Sequence, residues 1–203
     1  MKNTSLPLRS DLQAISDLIL PKSRVLDLGC SDGTLLAHLV QQKRVQGRGI
    51  EITEAGVLAC VRRGLSVRQG NLEEGLADYP ANSFDFVILS QTIPFLSEPS
   101  KIVQEMLRVG EQAIISFPNW GYWRYRLHLL ANGRFPQAED YAPHWYADRR
   151  WQAFTVADFL HFCQAFNMDV HQSIYLADEK RLKSGVWANW WAETAVFALQ
   201  KRA

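Results

Sequence analysis

The chain has 203 residues, with 22 basic and 21 acidic side chains and a formal charge of +1. That balance gives no general attraction to nucleic acid or to an anionic membrane, and no apolar run approaches the roughly 18 residues needed to span a bilayer. The first residues lack the apolar core of a secretory signal, and Cys30, Cys60 and Cys163 have no metal-ligand spacing, so they read as reduced thiols of a cytoplasmic protein.

Leu8, Leu12, Ile15 and Ile19 repeat at helical spacing up to Pro21. A first strand follows at Arg24 to Leu28. Thr34 to Lys43 reads as a helix with Leu35, Leu36, Leu39 and Val40 on one face. A second strand covers Val45 to Glu51. A helix from Glu54 to Arg63 stops at Gly64, and Leu65 to Gln69 is a short third strand. Phe84 to Ser90 is a fourth strand, apolar enough to be covered on both faces. Pro99 to Val109 is a helix with Gly110 as its stop, and Ala113 to Phe117 is a fifth strand ended by Pro118. Thr155 caps a helix running to Phe166. Met168 to Leu176 and Thr194 to Gln200 form strands six and seven, expected as an antiparallel hairpin at one edge. Strand and helix alternate, which predicts a single α/β domain over 1–203, a doubly wound, mostly parallel seven-stranded sheet. Residues 119–152 break the alternation after strand five. They hold four of the seven tryptophans and are too long for an ordinary connection. They are expected to form a lid, a substrate wall or a docking segment at the end of the sheet where ligands bind.

The most informative stretch is Arg24-Val-Leu-Asp-Leu-Gly-Cys-Ser-Asp-Gly33, followed by Gly49-Ile-Glu51. It is an apolar strand, an acid, a glycine turn and a helix, then a strand ending in an acid. A dinucleotide site would show three glycines around a pyrophosphate. Here only Gly29 and Gly33 are present, which suits S-adenosylmethionine or S-adenosylhomocysteine and counts against a nicotinamide dehydrogenase. Gly29 lets the chain turn sharply off the strand, and Gly33 is expected to bring the next helix close to the sheet. Asp27 can face the ligand's ammonium directly or through water. Glu51 can accept from both ribose hydroxyls. Cys30 lies in the turn as a small packing residue.

After strand three, Asn71 has two uses: accepting from the adenine amino group, or capping the turn at Glu73. The Leu72 amide can donate to an adenine ring nitrogen. Ser90 leaves strand four beside the place of a transferable methyl. Asn119, Trp120, Trp123 and Arg124 begin an aromatic and basic run that reads as a substrate wall or protein-docking patch, or as a plain buried helix. On that helix Trp123, Leu127 and Leu130 share a face, and Arg124 stacks with His128. Five arginines against Glu139, Asp140 and Asp148 are too weak a footprint for nucleic acid. Trp187, Trp190 and Trp191 read as core or edge packing. His144, His161 and His171 lack metal-ligand spacing, so no metal is expected. No residue is assigned as a catalytic acid, base or nucleophile.

Several blocks together resemble the methionine biosynthesis protein MetW family. They are Val25-Leu-Asp-Leu-Gly-Cys30, Gly49-Ile-Glu-Ile52, Gln69-Gly-Asn-Leu72, Phe84-Asp-Phe-Val-Ile-Leu-Ser90, Ser116-Phe-Pro-Asn-Trp-Gly121, Gly133-Arg-Phe-Pro136 and Trp145-Tyr146. The resemblance covers roughly residues 20–175. It implies a class I S-adenosylmethionine-dependent methyltransferase fold, a Rossmann-like sheet. It also implies a role in methionine biosynthesis beside homoserine O-acyltransferase as partner. Two activities follow from it: methyl transfer to a small acceptor, or a non-catalytic partner with a nucleoside-sensing pocket. Ser31 stands where the family usually has Gly, and Asn71 where it usually has Asp.

Overall fold

The computed structural model describes residues 8–74, 76–136 and 151–202. The expectations for His144, Trp145, Tyr146, Arg149 and Arg150, and for Glu139, Asp140 and Asp148, fall outside them. In chain order the elements are α1 (Ser10–Leu18), β1 (Arg24–Leu28), α2 (Thr34–Lys43), β2 (Gln46–Glu51), α3 (Glu54–Arg62), β3 (Ser66–Gln69), β4 (Phe84–Ser90), α4 (Pro99–Val109), β5 (Gly110–Pro118), α5 (Trp123–Asn132), α6 (Val156–Ala165), β6 (Met168–Ala177), β7 (Lys180–Arg181), α7 (Ala188–Trp191) and β8 (Thr194–Lys201).

The sheet order is β3-β2-β1-β4-β5-β8-β6-β7. The first five strands in that order run parallel, and β8 is antiparallel to both β5 and β6. The fold is the doubly wound α/β sheet read from the sequence: the last two expected strands, β6 and β8, pair antiparallel at one end of the sheet, with β8 next to β5. One correction is needed: β7 is an eighth strand that the sequence did not announce. β7 pairs with β6 across Asp178 and Glu179, both at positive φ (45° and 61°). Such a two-residue turn usually carries Asn-Gly or Asp-Gly; an Asp-Glu pair gives no such signal.

Alternation along the strands sorts the core into two layers. Leu26, Leu28, Val87, Leu89, Ile115 and Phe117 pack with α4 and α6 on one face. Val25, Phe86, Ile88 and Ile114 pack with Ala14 and Ile15 of α1, Ile19 just after it, and Leu35 and Leu39 of α2 on the other. By the same period, Asp27 and Ser90 emerge on the α1–α2 face at the carboxyl ends of their strands. α6 begins with the expected Thr155 cap, completed by Asp158 as a capping box.

Two glycines make contacts beyond their expected roles. Gly110 caps α4 as expected, its amide donating to the Met106 carbonyl, and is also the first residue of β5, where a Cβ would lie 2.6 Å from Val87 Cγ2. Gly33 is the N-cap of α2 at φ 76°. Its missing Cβ leaves room for Leu65 Cδ1 and Cys60 Sγ, while Leu35 and Leu39 of α2 pack against the sheet.

Candidate functional site

The turn after β1 is built from left-handed residues. Gly29 has φ 71°, Ser31 φ 51° and Gly33 φ 76°. The Gly29 and Cys30 amides donate to the Ile50 carbonyl at 2.8 and 3.1 Å, and the Gly33 amide closes the turn on the Cys30 carbonyl at 2.8 Å. The Ser31 amide donates to Glu51 Oε2 at 2.9 Å. Glu51 Oε1 accepts from the Thr53 amide and hydroxyl at 2.9 and 2.7 Å. Glu51 therefore ties the turn to the start of α3, a task not read from its place at the end of a strand. Each carboxylate oxygen has more than one lone-pair site, so Oε2 keeps capacity for a further donor.

Asp27 is 3% exposed, and among the described residues no hydrogen-bond donor reaches its carboxylate. Burial, and then the charge of Glu51, push its pKa up to about 7. Asp27, Gly29, Cys30, Ser31 and Ser90 line one cleft of about 920 Å³ whose other wall is α1, including Arg9, Leu12 and Gln13. The structure thus brings Asp27, Gly29, Cys30 and Ser90 together. Cys30 Sγ lies 3.7 Å from Cys60 Sγ; burial raises both thiols above their usual range, which fits packing rather than reactivity. Ser90 Oγ meets Ser116 Oγ at 3.2 Å.

Glu51 stands behind the turn, and β3 is hydrogen-bonded beside it, with the Gly70 amide on the Glu51 carbonyl at 3.0 Å. Asn71 is exposed, and its Oδ1 accepts from the Glu73 amide at 3.0 Å, which is the capping use. Leu72 is packed into the core.

The sequence did not point to Arg9 or Asp11. Arg9 grips Asp11 through Nε and a terminal nitrogen at 2.7 and 2.8 Å, and Gln91 Nε2 donates to Asp11 Oδ2 at 3.2 Å. Asp11 is 5% exposed. Gln91 sits at φ 54°, directly after β4. This brace pins the start of α1 over the carboxyl end of β4. Its partners are far apart in the chain and follow no motif.

The aromatic run divides in two. Asn119 is fully buried: its Nδ2 donates to the Ala192 carbonyl at 2.7 Å, and its Oδ1 accepts from the Gly121 and Val156 amides, each at 3.0 Å. Trp120 is buried among Tyr125, Phe135 and Trp151, at centroid distances of 4.8–5.1 Å. These two residues hold the end of β5 rather than a surface. Arg124 is exposed and Trp123 half-buried against Tyr122 and Trp191; α5 has no buried residue, so the plain buried helix is ruled out. Arg124 lies over Trp123 and Tyr122 at 5.5 and 5.8 Å and pairs with Asp178 at 3.3 Å. Trp187, Trp190 and Trp191 were expected in packing, yet they are 73%, 39% and 49% exposed.

The sheet order, the glycine turn after β1 and the acid ending β2 define a class I S-adenosylmethionine-dependent methyltransferase fold. Solved methyltransferases share it: one from Methanosarcina mazei superposes with a TM-score of 0.66 at 16% identity, covering 93% of this chain and 96% of that one. One from Archaeoglobus fulgidus gives 0.66 at 13% identity, covering 96% and 93%. Within that class, residues 9–199 match the model of the methionine biosynthesis protein MetW, and the chain belongs to that family. It is 32% identical over 211 residues to the bifunctional methionine biosynthesis protein MetXA/MetW of Rhodopirellula baltica, covering 98% of this chain and 34% of that protein. It is also 32% identical over 98 residues to the ubiquinone biosynthesis O-methyltransferase of Hahella chejuensis, covering 45% of this chain and 40% of that one. The chain thus spans about a third to two-fifths of the length of these curated relatives. Among the described residues no helix is long and apolar enough to cross a membrane, and no group of three or more His, Cys, Asp or Glu could hold a metal.

Proposed function

We propose that this chain binds S-adenosylmethionine, or its demethylated product, in the cleft at Asp27 and serves methionine biosynthesis as the partner of a homoserine O-acyltransferase. The observation that carries the ligand is the Asp27 carboxylate. It lines the cleft with no donor from the described protein residues, so a cationic group that enters the cleft can pair with it, and the amino-acid end of this nucleoside carries an ammonium. The turn fits the rest of the ligand: a Cβ on Gly29 would come within 3.0 Å of Thr92 Oγ1, so glycine keeps that wall low. Glu51 Oε2 takes a ribose hydroxyl while holding Ser31, and the segment at Asn71 and Leu72 lies alongside the adenine. When bound, the ligand supplies an electrophilic sulfonium methyl, and Ser90 stands at the strand end nearest the amino-acid portion.

The fused relative supports the partner role, because joining two activities on one chain raises their effective concentration for each other. A cytoplasmic setting is supported by Cys30 and Cys60, which are adjacent and free. A second reading, methyl transfer to a small acceptor, is supported by the N- and O-methyltransferases that match a little under half of the chain. Positioning an acceptor in line with the methyl would suffice for it, without a general base. Calorimetry with S-adenosylmethionine tests the ligand; no binding at millimolar ligand refutes the proposal. Release of S-adenosylhomocysteine, measured with and without the acyltransferase, separates the two activities.

A further inference from the structure

We infer that Arg9 binds the carboxylate of the ligand's amino-acid end, so that the cleft reads the whole zwitterion and not the nucleoside alone. This rests on the ligand proposed above and gives its acidic group a partner. An α-amino acid carries its ammonium and its carboxylate on the same carbon. With the ammonium on Asp27, the carboxylate lies beside a like charge and needs a cation there. Among the described residues that line the cleft, three carry a basic side chain: Arg9, His38 and Arg63. Arg63 follows α3 and is held by Asp32 at 2.7 Å. His38 stands a full turn into α2. The start of α2 is another place that attracts anions, but Asp32 already fills it: Oδ1 accepts from the Thr34 amide at 3.0 Å and Oδ2 from the Thr34 hydroxyl at 2.8 Å. Its charge turns a second carboxylate away.

Arg9 is placed differently. Asp11 clasps its Nε and one terminal nitrogen and is itself bonded by Gln91 Nε2. Gln91 directly follows Ser90, the last residue of β4, and β4 pairs with β1, the strand that carries Asp27. Linked side chains thus tie Arg9 to the strand end next to Asp27. The anchor is buried, whereas the Arg9 side chain is 53% exposed and accessible from the cleft. A guanidinium presents five donors in a planar fork, and Asp11 takes one edge of it. A second carboxylate can lie along the other edge in the same plane. Arg9 has a further contact besides Asp11, which the ligand's carboxylate displaces. Asp11 acts as a positioning residue: it fixes the fork before the ligand arrives, which lowers the ordering cost of binding. The cleft then separates S-adenosylmethionine and S-adenosylhomocysteine, which keep the carboxylate, from adenosyl thioethers that have lost it.

The test compares two ligands of the full chain by calorimetry at pH 8: S-adenosylhomocysteine, and S-adenosyl-3-thiopropylamine, which keeps the ammonium and lacks the carboxylate. Circular dichroism checks that each variant is folded. The unmodified chain should bind S-adenosylhomocysteine about 10- to 100-fold tighter than the propylamine, as one charge-assisted pair allows. Arg9→Gln should bind the two alike, with its loss confined to S-adenosylhomocysteine. Such coupling between one side chain and one ligand group is what a direct contact gives and a structural role does not. Arg9→Lys keeps the charge without the fork and should recover part of the preference, and Arg63→Gln should keep it whole. An unmodified chain that binds both ligands equally overturns the inference with no variant needed. So does a folded Arg9→Gln chain that keeps the preference, or one that loses both ligands by the same factor, since Arg9 would then serve only to seat α1. Loss of the preference in Arg63→Gln moves the carboxylate to Arg63 and overturns it as well. If the unmodified chain binds neither ligand, the nucleoside reading itself fails and the inference with it.

Discussion

Replacing Asp27 by Asn should make the ligand-free protein more stable and the ligand bind worse. The Asp27 pKa of about 7 compares with 3.8 for an unperturbed carboxyl. At about 1.4 kcal/mol per pH unit, holding the ionised form in the folded protein costs about 4 kcal/mol. The sign follows from proton counts. Between roughly pH 4 and 7 the folded chain keeps a proton on Asp27 that the unfolded chain has lost, so stability falls as pH rises through that window and levels off above it. Asn keeps the shape and removes the charge. Urea unfolding should therefore show the variant more stable than the parent by several kcal/mol at pH 8, with the difference shrinking toward zero near pH 4. Ligand binding runs the other way. An ammonium recruits the ionised carboxylate, which makes up about half of the free protein at pH 7 and about 1% at pH 5. Apparent affinity for S-adenosylmethionine should then fall about 50-fold from pH 7 to pH 5, and the variant should lose that slope. A flat affinity profile for the parent, or a variant no more stable at pH 8, would refute the reasoning.

The other substitutions act around the turn. Glu51→Ala removes the acceptor of the Ser31 amide and the proposed ribose contact; nucleoside affinity by calorimetry should drop about 10- to 100-fold, or roughly 1.4–2.8 kcal/mol. Gly56→Ala leaves every carboxylate in place but sets a Cβ 2.7 Å from Glu51 Cγ and 2.9 Å from the Ser31 carbonyl oxygen. It should weaken the nucleoside measurably while the far-ultraviolet circular dichroism stays unchanged. Ser31→Gly relieves a left-handed serine, and with glycine's greater unfolded-state freedom counted against it urea unfolding should still show a gain of about 1 kcal/mol.

How much of this was legible depends on the range of the interaction. Helix and strand boundaries follow from local periodicity, and α2 and α4 begin and end where their apolar faces and flanking residues say. The acid, glycine turn and second acid are legible because the cleft is built from consecutive residues at the ends of adjacent strands. What escaped detection is non-local. Asp11 and Gln91 meet only because α1 folds back over β4, and nothing in either segment alone marks the contact. The place of β8 depends on which strand wins the open edge of β5, which strand propensity does not encode. The tryptophans misled for a third reason: ring size says that burial is favourable but not whether the burial is within this chain or against another. Asn119 shows the converse, since an exposed-looking polar residue after a strand has its amide spent on three neighbouring segments.

The inner position of β8 makes the last strand in chain order a keystone. Among the described residues, β6 pairs with the rest of the sheet only through β8, from Met168 opposite Lys201 to Leu176 opposite Thr194 with a bulge between Val170 and Gln172. Until Thr194–Lys201 is threaded between its neighbours, β5 presents the apolar run Ala113–Phe117 along an open margin, and the β6–β7 ribbon has nothing to lean on. Assembly of this half of the molecule is thus all-or-none, and a defect anywhere in those eight residues would be felt as an adhesive edge rather than as a frayed tail.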